Sequence, residues 1–170
     1  MSVGWRKARV LALVMAVGGC GFHPLYAPNG TTAAGLKDIF VDVIPNRNGQ
    51  LLREALERRL EGSGSDGSKQ YILSVGLNFA GTSIGIQGDN SSDRTRFLGT
   101  AAFTLKEPGF LGKKIVSGTV PALDGVNVID EQFFYSDLST DAVERRMAEN
   151  LADRIVQALA IYFRAHPDQA

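Results

Sequence analysis

The chain has 170 residues, 18 basic and 18 acidic side chains and 44% hydrophobic content, the size and apolar content of one domain with one core. Its single cysteine excludes an internal disulfide, so packing alone must hold the fold. Arg6, Lys7 and Arg9 precede position 20 and no acid does, which leaves 15 bases against 18 acids beyond it, a net charge of −3, and excludes a generic nucleic-acid binder with its basic excess.

The first 19 residues read as a lipoprotein signal peptide. Arg6, Lys7 and Arg9 form a positive start, Val10 to Val17 an apolar run, and Gly18-Gly19 the small residues a signal peptidase needs before Cys20. A transmembrane helix needs about 20 consecutive apolar residues, and this run is far shorter. An ordinary secreted protein would carry an odd thiol into an oxidising compartment. The arrangement matches a bacterial lipobox, in which the Cys20 sulfur takes a diacylglyceryl group and the freed amine is acylated. Two or three acyl chains anchor stably where one does not. Beyond this covalent N-acyl and S-diacylglycerol lipid, no cofactor is expected.

Residues 20–36 read as the lipidated N-terminus and a linker, because Pro24 and Pro28 forbid helix and residues 29–35 are small and flexible in type. Residues 37–170 read as a single α+β domain. Ile39 to Ile44 predicts a buried strand ended by Pro45. Residues 46–61 place Leu52, Leu56 and Leu60 on one stripe, with Leu51 and Ala55 beside it and Arg and Glu opposite, which predicts an amphipathic helix. Gly62 ends it, and a Gly- and Ser-rich loop follows.

Three strands are predicted next, over about 70 to 80, about 94 to 106, and Ile115 to about Val120, the last an edge or bulged near Pro121. A helix from about Ser136 to Arg164 then places Met147, Leu151, Ile155 and Leu159 at spacings of four, with starting signals at Ser136, Ser139 and Asp141 and a capping-box partner at Glu144. The order β-α-β-β-β-α predicts a two-layer α+β sandwich, a four-stranded mixed sheet with two helices packed on one face. At least one pair is parallel, through a crossover.

No residue set proposes catalysis. Gly81-Thr82-Ser83-Ile84-Gly85 fits the nucleophile pattern of hydrolases, and Ser83, Asp124 or Asp130, and His166 follow in triad order. The serine, however, leads into a predicted loop rather than a helix, and His166 lies four residues from the end, where termini fray. Gly62 to Gly67 has P-loop spacing, but Ser68-Lys69 is in the wrong order. With only His23, His166 and one thiol, no nitrogen and sulfur metal site is expected.

Binding surface remains. Arg94 and Arg96 start one strand, and Lys113 and Lys114 start the next, so a hairpin would hold the two basic spots at opposite ends. They are candidates for phosphorylated lipid or a partner protein; lysines there also serve as solvated guards of an edge strand.

Cys20-Gly21-Phe22-His23-Pro24-Leu25-Tyr26 resembles the start of the LptE family, the lipopolysaccharide-assembly lipoproteins of Gram-negative outer membranes, and in particular its alphaproteobacterial branch. The element layout and the terminal helix ending in Ala158 to Phe163 are similar in kind. The resemblance implies a non-enzymatic protein, lipid-anchored on the periplasmic side of the outer membrane, that plugs an LptD-like β-barrel, assists its assembly and helps deliver lipopolysaccharide to the outer leaflet. Its implied partners are that barrel, lipopolysaccharide and the membrane, and no nucleic acid. Arg94, Arg96, Lys113 and Lys114 are contact candidates from their chemistry alone. The expected arrangement puts the loops at 87–93 and 107–114 inside the barrel and Cys20 at the other end. A lipid-anchored periplasmic scaffold without a barrel partner shares the same anchor and sandwich.

Overall fold

The structure is a computed structural model, and it describes residues 31–61, 69–86, 92–109, 112–127 and 133–169. The Cys20 segment lies outside the described residues. In chain order the elements are α1 (Thr31–Lys37), β1 (Ile39–Val41), α2 (Asn46–Glu61), β2 (Tyr71–Ile86), β3 (Ser92–Lys106), β4 (Lys114–Asn127) and α3 (Phe133–Ala165), then a 3-10 turn at Pro167–Gln169. The sheet order is β1-β2-β3-β4, with β1 parallel to β2 and the other pairs antiparallel. This is the expected mixed four-stranded α+β sandwich, with one helix added in front.

That helix is the first difference. Thr31–Lys37 is helical where the composition reads as linker, and it buries Leu36 to 5% exposure in the same core as β1 and α2. Local propensity is a weak prior, and a buried apolar anchor overrides it. β1 is also shorter than expected. It stops at Val41; the Asp42 N–H still donates to the Leu73 carbonyl at 2.9 Å, but the Asp42 carboxylate then accepts from the Val43 N–H and turns the chain. α2 has the predicted bounds, with Leu52, Ala55, Leu56 and Leu60 buried and the Glu54–Arg58 pair on its outer side at 2.7 Å.

β2 runs on to Ile86, past the glycines that were expected to open a loop, because β3 pairs with it from Ile72↔Lys106 to Ile86↔Ser92. Cross-strand pairing decides here over the weak strand propensity of glycine. β4 likewise continues past Val120. Pro121 sits in register opposite Thr100, tolerated because β4 is an edge strand, and the bulge lies elsewhere: register shifts between Leu105↔Val116 and Lys106↔Lys114, leaving Ile115 as the extra residue.

α3 begins at Phe133, about one turn before the expected start, so Ser136, Ser139 and Asp141 are inside the helix rather than at its cap. Asp141 has a different role. Arg47, at the start of α2, grips its carboxylate in bidentate fashion at 2.9 and 3.0 Å, and Arg59 does the same to Asp153 further along. The hydrogen bond from Arg47 holds the Asp141 carboxyl below its ordinary value. A depressed folded-state pKa contributes stability above the unfolded-state value and loses it as pH falls through the folded one. Asp141→Asn is therefore expected to lower stability slightly at pH 7, the pair being solvent-exposed, and to make the fall in stability below about pH 4 in urea melts shallower by that same small amount.

The core lies between the helices and one face of the sheet. Leu73 and Val75 of β2, Phe97, Ala101, Phe103 and Leu105 of β3, and Ala122 of β4 meet Val143, Met147, Leu151, Ile155, Leu159 and Phe163 of α3 and the leucines of α2. No polar or charged residue is buried as a whole among the described residues. Gly99 marks the crossing of α3 over β3: a Cβ there would stand 2.9 Å from the Met147 methyl group. No helix among the described residues is long and apolar enough to cross a membrane.

Candidate functional site

The helices cover one face of the sheet and leave the other open. On the open face, register sets Lys106 beside Ile72 and Lys114 at one end, and Arg96 beside Thr82 and Gly125 near the other. Ten residues of strand separate Lys106 from Arg96, roughly 33 Å. Between these two rows no charged residue of β2, β3 or β4 occupies the face; small and hydroxyl side chains dominate, with Leu98 49% and Leu123 61% exposed. Thr100, Thr104 and Thr119 give it the hydroxyls of an ordinary solvated face, but between the two basic rows it lacks the usual charge.

The basic candidates divide as the hairpin required. Arg96 is exposed, and Arg94 occupies the next row, in register with Ile84 and Asn127. Lys113 and Lys114 are exposed at the opposite end, on a cleft of about 330 Å³ that also involves Tyr71, Glu107, Ile115 and Tyr162. Burial pushes the Tyr71 phenol up, and the nearby carboxylates of Asp38 and Glu107 push it further, so it stays protonated. Tyr71 packs on Phe163 at 5.5 Å between ring centres, and Tyr162 stacks on His166 at 4.3 Å. The cleft thus has an aromatic wall and a mixed rim, Lys113 and Lys114 with Glu107 beside them. Sequence periodicity places Tyr71 on a strand and Tyr162 on a helix. Only the packing of the end of α3 against the start of β2 brings them together.

The expected orientation of the loops needs correction. α1 packs on α3 and on the 3-10 turn that follows it, and it leads directly into β1, whose Ile39 is in register with Tyr71. Among the described residues α1 therefore lies at the Lys113–Lys114 end. Lys106 and Lys114, which flank the turn at 107–113, lie at one end of the hairpins, and Ile86 and Ser92, which flank 87–91, lie at the other, so the two loops cannot share one side.

The hydrolase pattern does not assemble. Ser83 pairs with Thr95 in the far part of the hairpin, whereas His166 follows the end of α3, its Nδ1 at 3.0 Å from the Tyr162 carbonyl. Asp124 accepts from Arg146 at 2.9 Å, and Asp130 lies outside the described residues. No group of three or more His, Cys, Asp or Glu side chains that could hold a metal ion is present among the described residues.

A family profile described as "LptE: Lipopolysaccharide-assembly" matches residues 36–159. The chain belongs to the LptE family. Membership makes it an outer-membrane-associated lipoprotein of lipopolysaccharide assembly. Among curated proteins no sequence match is found. Among solved structures, a protein described as a lipoprotein from Caulobacter crescentus superposes with a TM-score of 0.66 at 22% identity, covering 78% of this LptE-family chain and 96% of its own. Rare lipoprotein B from Shewanella oneidensis matches with a TM-score of 0.53 at 13% identity, covering 72% and 92%. Lipoprotein B from Nitrosomonas europaea gives 0.56 at 10% identity, covering 75% and 84%. At such identities the likeness is one of fold, and it extends over nearly the whole of each relative.

Proposed function

We propose that this LptE-family chain is a lipid-anchored plug and assembly partner of an LptD-like outer-membrane β-barrel, and that it helps deliver lipopolysaccharide to the outer leaflet. Residues 1–19 are removed as a signal peptide, Cys20 carries the lipid on the periplasmic side, and residues 37–170, preceded by α1, form the body. Family membership over residues 36–159 is the observation that carries this reading. The open sheet face supports it physically: the lumen of a large barrel is polar and walled by strands, and a face of small and hydroxyl side chains is compatible with such a wall.

In this reading Lys113 and Lys114 belong to the anchored end. Cys20 stands eleven residues before Thr31, and eleven residues of any chain reach at most roughly 36 Å. Arg94 and Arg96 belong to the far end. Both pairs suit the phosphates of lipopolysaccharide, which take charge-assisted hydrogen bonds from lysine and arginine.

Extraction of the tagged full-length protein from outer membranes in mild detergent is expected to bring down a large β-barrel in near-equal amount. Depletion of the protein is expected to keep lipopolysaccharide from the cell surface. Recovery of the protein without any barrel, together with normal surface lipopolysaccharide after depletion, overturns the proposal.

A further inference from the structure

The two edges of the sheet are treated differently. β4, one edge, has the usual protection against unwanted strand pairing: Lys113 and Lys114 at its start, the Ile115 bulge, and Pro121 in mid-strand. The other side of the sheet is shielded only briefly, because β1 has three residues and β2 has 16. β1 covers Tyr71 to Leu73, and past that point β2 has no strand beside it on this side among the described residues.

The direction of the exposed backbone follows from the bonds that are made. The Tyr71 N–H donates to the Asp38 carbonyl at 3.0 Å, and the Leu73 carbonyl accepts from the Asp42 N–H at 2.9 Å, so odd-numbered residues of β2 turn their N–H and C=O groups toward the β1 side. Leu77, Phe79 and Gly81 continue that series with no strand to receive it. The strand does not guard itself, for residues 70–88 contain no charged residue and no proline. A long, uncharged, unguarded edge is a pairing template, and a monomer that kept it bare would aggregate through it.

A second observation lies at the same place. Beside Leu77, Asn78 and Phe79 is a cleft of about 340 Å³ whose opposite wall is the turn into α2, Pro45, Asn46, Asn48 and Gly49. Asn46 adopts φ 69°, the left-handed conformation that asparagine tolerates better than most residues, and so sets that turn. The Asn48 side-chain oxygen is buried and accepts no hydrogen bond among the described residues. Asn46 is exposed on this wall, and an asparagine amide carries both the donors and the acceptor that a peptide backbone requires.

We propose that the β2 edge from Leu77 to Gly81, with the Asn46 and Asn48 shelf, binds an extended segment of a partner polypeptide as a fifth strand. The incoming strand is uncharged. Side chains on its helix side are apolar, to lie beside Leu77 and Phe79, and those on its other side are small or hydroxylic, to lie beside Asn78 and Ala80. Strands of a closed barrel wall have no free edge, so the segment comes from a loop or terminal arm. A second copy of this chain fits poorly: antiparallel pairing of two β2 edges would drive the two Pro45–Gly49 shelves against each other. The inference does not depend on the barrel proposal, and the two can fail separately.

Residue-resolved amide hydrogen exchange tests it, with the full-length lipoprotein measured in detergent alone and as extracted from outer membranes with its bound polypeptides. The Leu77, Phe79 and Gly81 amides are expected to exchange quickly in the isolated protein and on the order of tenfold more slowly in the native complex. Asn78→Lys, an exposed position on this edge, is expected to abolish that slowing while the circular dichroism spectrum stays unchanged. Equal exchange in both states, slow exchange already in the isolated monomer, slowing that follows protein concentration alone, or slowing that survives Asn78→Lys each overturns the proposal. A native complex that lacks a barrel yet protects these amides upholds the edge and removes the barrel; a barrel bound without protection does the reverse.

Discussion

Replacing Cys20 by alanine is expected to abolish metabolic labelling of the protein with palmitate and to move it from the membrane pellet to the soluble periplasmic fraction. The size of the effect follows from the chemistry of the anchor. Each buried methylene of an acyl chain contributes about 0.8 kcal/mol, and one chain alone holds only reversibly, whereas the diacylglyceryl and N-acyl chains on one residue hold stably. Among the described residues no membrane-spanning helix can substitute for them. The core of the described residues does not draw on Cys20, so an unaltered thermal midpoint in the released protein is part of the expected result. Labelling that persists in Cys20→Ala would show that the lipid sits elsewhere or nowhere.

Phe163→Ala is expected to have the largest effect on stability. Phe163 is fully buried where the end of α3 meets the start of β2, with its ring 5.5 Å from Tyr71 and 5.8 Å from Tyr162. Truncating a buried phenylalanine costs about 3–5 kcal/mol through lost transfer energy and the cavity left behind, against a typical total of about 5–15 kcal/mol. A fall in thermal midpoint on the order of 10 °C follows for a domain of this size. Ile161 provides the control. It lies two residues away on the same helix but is 56% exposed, and Ile161→Ala should change stability by no more than about 0.5 kcal/mol. Equal melting of the two variants would contradict the packing described at this end. Because Phe163 supports both tyrosines of the Lys113–Lys114 cleft, its loss should also loosen that cleft.

Much of the fold was legible in the chain because its helices are amphipathic in the ordinary way. The stripe of Leu52, Leu56 and Leu60 and that of Met147, Leu151, Ile155 and Leu159 are both fully buried, and helix periodicity depends only on residues close in sequence. The strands were legible in place and face but not in length. Gly81 to Ile86 and Pro121 to Asn127 have poor local strand character and are held extended by partners many residues away. The helix at Thr31–Lys37 was missed for a related reason: its stability comes from burying Leu36 rather than from its own composition. Asp141 has the local pattern of a cap, and what assigns it instead to an interhelical ion pair is Arg47, 94 residues earlier in the chain.

For the site, the division falls in the same place. Cys20 with the apolar run before it, the absence of a second thiol, and the segment from Cys20 to Tyr26 are covalent facts, so the expected address and the family resemblance need no three-dimensional information. The positions of Arg96 and Lys114 at opposite ends of a hairpin are nearly as local, since strand order and turn determine them. Three things required the tertiary structure: the joining of Tyr71 and Tyr162 beside the lysines, the location of α1 at that same end, and the exposure of the β2 edge past Leu73. Each depends on which surfaces remain uncovered once the helices pack. The sequence by itself determined what the elements are made of and which face of each is apolar; only the packed structure decided which faces and edges were left over, because burial is a property of pairs of elements and not of any one of them.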